Sequence, residues 1–526
     1  MKLKELTLPN HKGFINFSTT FDEESPITTI IGQNGVGKSN LIETIISIFK
    51  AIDLGESADF SYTLIYECHG HDIQVRFDIH NKSNNLVIID GDRKSFSFLK
   101  SNAKKYLPQN IFTYYSGTNE RVEQLFVKHQ TRFYDALTKG DDQLIRRFFY
   151  CRDVHSFFVL LAFLVDNDPA CKELLGQLHI ASLDSVLFCL KKPYWYKGKP
   201  SDVMLEEGDP RFWYSRGIVR DFLDNLWRYA IAPIDNTERK IVDFRGRSES
   251  QDRLYLFLPD DSALKGLASE YPDTTSLFKN IESTYIADLL EDVQVTVTLT
   301  DGKKLTFSAL SEGERQLLTV LGLMKFTRND ESLFLLDEPD THLNPRWKLG
   351  YFDQIEKILD HKIEGSDLSA LHTSQVILTT HDPLMLTSLR ATQIRVLTES
   401  QEFGKQSVIP EEDPINMGVE AIIQSGLYGI RTSLDKDIQE KIDLRNELLS
   451  KQPEGAAPSV ELTNLNIELD NLGLSQAHPN PYFSNFAKAM SRNPKFRRLE
   501  FSSDEYNEIQ VLSDDILRKS ISSETD

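Results

Sequence analysis

Three short, mostly apolar runs, each ending in a polar turn, dominate the hydrophobic pattern of this chain. They are Ile27–Ile31, Leu333–Leu336 and Val376–Leu378. Runs without polar alternation indicate strands that are buried on both faces, as in parallel sheets. Because segments with helical patterns separate these runs, the sequence predicts an α/β fold with a largely parallel sheet.

The first run leads into a glycine-rich loop and then into a predicted helix, Asn40–Phe49. The loop has the spacing G-x-x-x-x-G-K-[ST], in which backbone N–H groups surround a phosphate at a helix N-terminus. Lys38 would contact the β- and γ-phosphates, and the hydroxyl of Ser39 would ligate Mg²⁺. We therefore predict that ATP and Mg²⁺ are bound here. The predicted nucleotide-binding residues are Gly32, Gln33, Asn34, Gly35, Val36, Gly37, Lys38, Ser39 and Asn40.

The second run ends in two carboxylates, Asp337 and Glu338, just before Pro339. Asp337 at the strand end is placed to hold Mg²⁺. Glu338 points in a different direction and could act as a general base toward the attacking water. The alternative is a buried strand that ends in a capping acidic pair. The phosphate loop upstream favours the catalytic interpretation.

A well-capped helix is predicted to begin after Ser311, because Glu314 follows three residues later as in a capping box. Gly313 lies in the first turn, where glycine costs helix stability and allows a phosphate to approach closely. An ordinary amphipathic helix explains the cap, although it does not explain this glycine.

The third run ends in Thr379-Thr380-His381-Asp382. His381 could hydrogen-bond a γ-phosphate or the attacking water. A lone histidine after a strand is more often a turn residue. Its position after the other motifs favours the catalytic role.

In this order, the motifs resemble an ABC-type ATPase head of the SMC, Rad50 and RecF kind. The resemblance implies a two-lobed head that dimerises face to face and binds two ATP molecules between the subunits. Ser311, Glu312 and Gly313 would then form the signature motif that closes over the partner's nucleotide, and Asp340 would couple the two sites. The family's glutamine between the lobes is unassigned, since neither Gln109 nor Gln124 matches cleanly.

Length and composition indicate a multidomain globular protein. The chain has 526 residues, of which 40% are hydrophobic and 26% charged. The longest strongly apolar stretch, Phe157–Val165, is too short to span a bilayer, and the N-terminus lacks a signal-peptide pattern. Four cysteines without metal-like spacing indicate buried thiols in a reducing, cytoplasmic compartment.

The formal net charge of −20 argues against a surface that wraps nucleic acid throughout. Local basic patches stay possible. Lys191–Lys197 interleaves lysines with aromatic residues, a pattern that suits either nucleic-acid contact or a solvated loop.

We predict four regions along the chain. Residues 1–115 form the first lobe with the phosphate loop, 116–290 a mostly helical insertion, 291–400 the second lobe, and 401–526 a helical region for partner or dimer contacts. No heptad pattern persists in the insertion, so a compact domain is expected there instead of a long coiled coil. The predicted helices of the insertion are Glu120–Leu137, Asp142–Phe149, Val154–Val165 and Ile218–Tyr229.

Two further segments, Tyr114–Gly117 and Ser425–Ile430, are similar to the PtuA-type ATPases of Septu and retron-associated antiphage systems. That resemblance implies a bacterial ATPase whose nucleotide state controls a separate HNH-type nuclease. Further partners would be a retron reverse transcriptase and its RNA–DNA hybrid. The alternative is a DNA-repair or chromosome-associated clamp without a toxic effector. Because no D-x-D strand end follows His381, no intrinsic nuclease is predicted.

Overall fold

The computed structural model describes most of the chain up to residue 472. The described residues are 1–117, 119–141, 146–241, 246, 248–328, 331–360, 373–400, 404–415, 417–425, 427–428, 435–450 and 459–472.

The N-terminal part of the chain forms a six-stranded antiparallel sheet with the order β2-β1-β4-β5-β6-β7. Alternate residues of β4 are buried, as expected for a sheet with one face on the core. The strands are β1 Lys2–His11, β2 Phe14–Thr20, β4 Tyr62–Cys68, β5 His71–Phe77, β6 Leu86–Ile89 and β7 Asp92–Lys94.

A seven-stranded sheet carries the sequence motifs, with the order β18-β17-β3-β16-β15-β8-β9. All neighbouring pairs are parallel except β17 with β18. The carboxyl ends of β3, β15, β16 and β8 therefore meet at one edge. The strands are β3 Ile27–Gly32, β8 Asn110–Tyr115, β9 Phe148–Tyr150, β15 Ser332–Asp337, β16 Gln375–Thr379, β17 Ile394–Ser400 and β18 Gly404–Val408.

Both faces of this sheet are covered, which confirms the prediction from the unbroken apolar runs. Along β15, Leu333 and Leu335 belong to one hydrophobic cluster, whereas Phe334 and Leu336 belong to another. All six residues of the strand are buried. The α/β fold with a largely parallel central sheet is thus confirmed.

A third sheet has five antiparallel strands in the order β11-β12-β10-β13-β14. The sequence analysis missed β10 to β12 in the insertion. Strand β13 pairs with β10 across the predicted boundary at 290/291, and the boundaries otherwise stay a prediction. The strands are β10 Ile180–Lys191, β11 Ile231–Ile241, β12 Ser248–Leu258, β13 Leu290–Leu299 and β14 Lys304–Thr306.

One predicted helix, Asp142–Phe149, is wrong at its C-terminal end. Phe148 and Phe149 begin β9, which pairs in parallel with β8 and buries Phe148, Phe149 and Tyr150. Residues 142–145 of that segment lie outside the described part. Tertiary pairing with an existing sheet therefore overrides the local helical pattern.

The helices that precede residue 425 lie between these strands along the chain, except for the last of them, which follows β18. The first are α1 Lys38–Leu54, α2 Phe96–Ser101, α3 Ala103–Tyr106, α4 Val127–Thr138, α5 His155–Val165, α6 Pro169–Gln177, α7 Asp202–Glu207 and α8 Gly217–Tyr229. The next are α9 Asp261–Ser269, α10 Thr274–Ile286, α11 Glu312–Thr327, α12 Pro345–Leu349, α13 Tyr351–Leu359 and α14 Val419–Gln424.

The chain divides into two compact units, and the second comprises residues 423–425 and 429–526. Its described helices are α15 Lys436–Ser450 and α16 Val460–Asn471. Lys441 of α15 forms an ion pair with Glu468 of α16. Of the Ser425–Ile430 segment, residues 426, 429 and 430 lie outside the described residues.

Candidate functional site

The phosphate loop joins β3 to α1 and has the geometry of an anion cradle. Gly32 passes so close to β17 that a Cβ there would lie 2.5 Å from the carbonyl oxygen of Leu397. Gly37 has φ +112° at the N-cap of α1, a conformation that favours glycine. No side chain caps α1 and its first turn has no acidic residue, so the N-terminal N–H groups suit a phosphate.

The Lys38 ammonium lies inside this loop and is 6% exposed. Its Nζ donates to the carbonyl oxygen of Gly32 at 3.0 Å and lies 3.9 Å from Oε1 of Glu338. Burial lowers the pKa of Lys38, and the nearby Glu338 carboxylate partly offsets that effect. Gln33, Asn34 and Gly35 are exposed along the loop, whereas Val36 is buried. A polyphosphate would be a stronger acceptor for this ammonium than a backbone carbonyl.

Asp337 links the phosphate loop to the neighbouring strand β16. Its Oδ2 accepts a hydrogen bond from Ser39 Oγ at 2.8 Å, and its Oδ1 accepts one from Thr379 Oγ1 at 2.6 Å. Burial raises the pKa of Asp337, although both hydroxyl donors oppose the shift. A serine hydroxyl beside a buried carboxylate oxygen is a donor set that fits Mg²⁺.

Glu338 follows at a sharp turn, with φ +48°. Its N–H donates to the carbonyl oxygen and to Oγ1 of Thr379, at 3.1 Å and 3.0 Å. This strained backbone, held by β16, brings Glu338 Oε1 to 3.3 Å from Nδ1 of His381. The Glu338 side chain is 26% exposed, so water can reach its carboxylate.

The residues predicted to act on the nucleotide bound by their own chain therefore lie together at one edge of the seven-stranded sheet. Lys38, Ser39, Asp337, Glu338 and His381 come from the ends of three neighbouring strands and their loops. This cluster combines a cation for phosphates, oxygen ligands for a divalent cation, and a carboxylate accessible to water. It is suited to phosphoryl transfer to water.

Asp340 is buried within its own chain and is 1% exposed. Its Oδ2 accepts a hydrogen bond from Thr380 Oγ1 at 2.9 Å, and Lys348 Nζ lies 4.0 Å away. Burial raises the pKa of Asp340 against these contacts. The side chain thus joins the turn after β15 to the end of β16, and its predicted role in dimer coupling stays a prediction.

The predicted signature residues lie at the N-terminus of α11. Ser311 and Glu314 form the reciprocal capping box that the sequence predicted. Ser311 and Glu312 are exposed, and Glu312 Oε1 lies 3.4 Å from Nε2 of His342. Gly313 is buried, and a Cβ there would lie 2.2 Å from the carbonyl oxygen of His342. Close packing against His342 therefore explains why a glycine is needed at position 313, and the sequence did not reveal that contact. The proposed contact of these residues with the nucleotide of a second copy stays a prediction.

Arg121 is a candidate site residue that sequence reasoning missed. It follows β8, whose carboxyl end lies at the same sheet edge as Asp337. Its Nη1 donates to Oδ1 of Asn40 at 3.4 Å, and its Nε lies 2.8 Å from Oε1 of Glu43 on α1. Gln109 precedes β8 and so lies at the opposite edge, which excludes it as a nucleotide contact within this chain. The order of strands in the sheet, rather than any motif, identifies Arg121.

Two family models match the chain, each over less than half of it. One is described as an AAA ATPase domain and matches residues 1–144. The other is described as an AAA domain, putative AbiEii toxin, Type IV TA system, and matches residues 206–387. A retron Vc95 probable ATPase from Vibrio cholerae is 22% identical over 449 residues, which is 77% of each chain.

The chain is thus related to ABC-type ATPases of the SMC and Rad50 kind. The relationship is distant. A Septu protein PtuA from Bacillus mycoides is 26% identical to this chain over 38% of the chain and 28% of the relative. A DNA double-strand break repair Rad50 ATPase from Methanocaldococcus jannaschii is 30% identical over 34% of the chain and 17% of the relative.

Solved SMC heads overlap this chain loosely. An SMC head domain from Thermotoga maritima has 13% identity and a TM-score of 0.31, over 78% of this chain and all of that one (100%). An Smc head bound to the C-terminal winged-helix domain of ScpA has 13% identity and a TM-score of 0.33, over 78% and 98%. The fold assignment depends on the strand order and the motifs at the sheet edge, since these TM-scores are low.

Two further expectations bear on partners and compartment. In the basic-aromatic segment Lys191–Lys197, Lys191 is ion-paired with Asp288 at 2.5 Å and Lys192 with Asp252 at 3.3 Å. These ion pairs reduce the positive charge that the segment offers to nucleic acid.

The four cysteines are buried and unbridged, as predicted. Within the part of the chain that the structure describes, no helix combines the length and apolar character needed to cross a bilayer.

Proposed function

We propose that this chain is an ABC-type ATPase that hydrolyses ATP, and that its nucleotide state controls a separate HNH-type nuclease in an antiphage defence complex. The contact between Glu338 and His381 at 3.3 Å, beside the phosphate loop, supports hydrolysis most directly. The similarity to retron and Septu ATPases supports the defence role.

In the proposed reaction, Glu338 accepts a proton as the oxygen of water attacks the γ-phosphorus of ATP. The bond to the β,γ-bridging oxygen breaks, and ADP and phosphate are released. Lys38 binds the β- and γ-phosphates, and His381 orients the water or the γ-phosphate. Mg²⁺ bound through Ser39 and Asp337 would neutralise charge on the phosphate oxygens.

Two copies would meet face to face, so that each nucleotide contacts the phosphate loop of one chain and the signature residues of the other. The exposure of Ser311 and Glu312 at the start of α11 supports this arrangement. Asp340 would couple the two sites through the turn that carries Glu338. A retron reverse transcriptase and its RNA–DNA hybrid are the further proposed partners.

Reconstitution with the proposed HNH-type nuclease tests the regulatory role. We expect the purified ATPase alone to leave DNA and RNA intact. The complex should cleave nucleic acid at a rate that depends on the nucleotide supplied, and Lys38→Ala should remove that dependence because phosphate binding is lost. The matched control is Lys357→Ala, which changes a lysine on the exposed face of α13.

A DNA clamp without an effector is the competing function, and the partial similarity to Rad50 favours it. For a clamp, DNA would stimulate ATP turnover and nuclease activity would be absent from every reconstituted complex. Mg²⁺-dependent cleavage by the ATPase alone would contradict both proposals.

A further inference from the structure

Lys405 on β18 places an ammonium group beside the phosphate loop. Strand β18 packs against β2, where Ser407 Oγ lies 2.8 Å from Thr19 Oγ1. Because side chains alternate along a strand, Lys405 points to the same side as Ser407. A Cβ on Gly37, at the N-cap of α1, would lie 3.4 Å from Lys405 Nζ, and one on Gly13 would lie 3.2 Å from it. The ammonium is therefore close to both the turn between β1 and β2 and the phosphate loop.

The surroundings hold this ammonium without neutralising its charge. Lys405 Nζ lies 5.3 Å from the centroid of the Phe14 ring, which is a cation–π contact. Phe14 itself is fully buried, whereas Lys405 is half-buried. Within the described part of the chain, no carboxylate forms an ion pair with Lys405. The ammonium is thus positioned by an aromatic ring and keeps its charge available for an anion.

Two other cations near the loop are already paired. Lys12 Nζ, in the turn between β1 and β2, donates to Glu43 Oε2, and Arg121 Nε lies 2.8 Å from Glu43 Oε1. Glu43 on α1 is 4% exposed, so its carboxylate interacts with these two cations more than with water. Of these three cations, Lys405 is the one without a carboxylate partner among the described residues.

The start of α1 is an unfavourable place for an uncompensated cation. The N-terminus of a helix carries a partial positive charge, which a lysine nearby opposes. Helix α1 has 17 residues, no side chain caps it, and no acidic residue in its first turn offsets the charge of Lys405. An anion beside Gly37 would remove this conflict, because it would accept from the N–H groups of the helix and from the ammonium at once.

Lys38 and Lys405 approach the phosphate loop from different sides. Lys38 Nζ lies 3.9 Å from Glu338, the proposed base for attack on the γ-phosphate. Lys405 lies on the side of the turn between β1 and β2, where Asn40 Nδ2 donates to the carbonyl oxygen of Lys12 at 3.4 Å. Because Lys38 and Glu338 serve the γ end of the triphosphate, the side that holds Lys405 is left for the α end.

We propose that Lys405 binds the α-phosphate of the nucleotide held in the phosphate loop. Lys38 would bind the β- and γ-phosphates, so that two lysines from distant parts of the chain divide the triphosphate charge between them. The hairpin of β17 and β18 would then complete the ATP site. Since the α-phosphate is common to ADP and ATP, the contact would persist after hydrolysis. This inference rests on the function proposed above, because it assumes that the phosphate loop binds ATP.

Calorimetric titration of the full chain with ADP and with a non-cleavable ATP analogue tests the proposal. Lys405→Gln should weaken the binding of both nucleotides about tenfold, equivalent to about 1.4 kcal/mol, because the lost contact is with a phosphate that they share. Lys405→Arg should retain most of the affinity, since it keeps the charge. In the phosphorus NMR spectrum of bound ADP, the α-phosphorus resonance should shift between wild type and Lys405→Gln, and the β-phosphorus resonance should move less.

Two controls separate this contact from general effects of charge and of the strand. Lys303→Gln removes one positive charge in the turn between β13 and β14, where the lysine side chain is 80% exposed. Gln406→Ala changes the exposed neighbour of Lys405, on the opposite face of β18. Neither control should change nucleotide affinity. The melting temperature of nucleotide-free Lys405→Gln should not fall, because removing a cation from the start of α1 offsets the lost contact with Phe14.

Several results would overturn the proposal. They are wild-type affinity in Lys405→Gln, equal weakening by Lys303→Gln, and weakening of the ATP analogue without weakening of ADP, which would place the contact on the γ-phosphate. A lower melting temperature in Lys405→Gln, together with loss of affinity in Lys405→Arg, would show a merely structural role.

Failure of this inference is distinguishable from failure of the proposed function. Wild-type protein that binds ADP and ATP without hydrolysing ATP would refute the ATPase activity, whereas the comparison of Lys405→Gln with wild type would still decide the α-phosphate contact. Wild-type protein that binds neither nucleotide would refute both.

Discussion

At the scale of single residues, the side chains predicted to bind and hydrolyse the nucleotide cluster where the strand ends meet. The sequence motifs identified Lys38, Asp337 and Glu338 because each follows a short apolar run at a fixed spacing. They did not reveal what holds these residues. Thr379 fixes both the Asp337 carboxylate and the Glu338 backbone. That role, like that of Arg121, arises from strand pairing between distant segments and has no local signature.

Replacing the proposed general base should separate ATP binding from hydrolysis. Glu338→Gln should lower ATP turnover by a factor of about 10²–10⁴, because the amide cannot accept the proton. ATP affinity should change little, since the phosphate loop is intact. Phosphate release and equilibrium binding measure the two effects, and Glu173→Gln on the exposed face of α6 is the control. Normal turnover in Glu338→Gln would show that another group is the base.

Lys325 is a buried cation whose loss should destabilise the fold. Its Nζ lies 3.1 Å from Asp166 and 2.6 Å from Asp168, and the side chain is 7% exposed. Asp166, Asp168 and Cys171 are spaced closely enough to hold a metal, but the ammonium already lies among them. Lys325→Met should cost about 2–3 kcal/mol, because two half-buried carboxylates lose their counter-charge. Added metal ions should not restore the loss.

The pH dependence of this effect has a defined sign. Burial raises the pKa of Asp168, but the Lys325 ammonium and a backbone N–H outweigh it, so the net pKa is below its usual range. A carboxylate with a depressed pKa stabilises the fold above its unfolded pKa, and that contribution is lost as pH falls. The difference in melting temperature between wild type and Lys325→Met should therefore persist from pH 7 down to the unfolded pKa, about 4, and shrink as pH falls below it. Lys357→Met, which removes an exposed pair with Glu173, should show a small difference throughout.

At the scale of secondary-structure elements, local pattern predicted the motif-bearing strands well and the insertion poorly. Runs such as Leu333–Leu336 are apolar without interruption, so their burial is evident from sequence. Strand β12 also carries a signal, since Leu254, Leu256 and Leu258 are buried at alternate positions. By contrast, Phe148–Tyr150 is a strand only because it pairs with β8 at the edge of the seven-stranded sheet. The local sequence gives no sign of that pairing.

Gly313 offers a test of whether contact within the chain governs the start of α11. Gly313→Ala would gain about 1 kcal/mol of helix propensity in an open helix. Here the new Cβ would meet the backbone of His342, so we expect a lower melting temperature and lower ATP turnover. Gly176→Ala in α6 is the matched control, because no atom lies within 4 Å of its Cβ position, and it should be neutral or stabilising.

At the scale of the whole molecule, the fold class and the residues of the ATP site within one chain were predictable, whereas the insertion's sheet was not. That sheet pairs strands distant in sequence: Leu190 of β10 lies opposite Leu290 of β13, 100 positions later. Such pairings are invisible to motif reading because the paired segments share no local pattern.

Association of two copies should depend on nucleotide. With ATP, Glu338→Gln should sediment as a dimer, because binding persists without hydrolysis, and the nucleotide-free protein should sediment as a monomer. Ser311→Arg in the same background should remove the dimer while ATP still binds, since a bulky cation replaces the exposed N-cap. A cap loss of about 1 kcal/mol is expected in addition. A monomer under every condition would contradict the proposed arrangement.

The turn from Glu338 to His342 has a consequence for timing. In the proposed reaction its first residue would face the cleaved phosphate. Four positions later, the carbonyl oxygen of His342 lies so close to Gly313, at the start of α11, that a Cβ there would be 2.2 Å away. In a face-to-face pair, that glycine would serve the opposite nucleotide. Release of phosphate from one subunit would then weaken ATP binding in the other subunit. ATP hydrolysis at the two sites would therefore proceed in sequence and not independently.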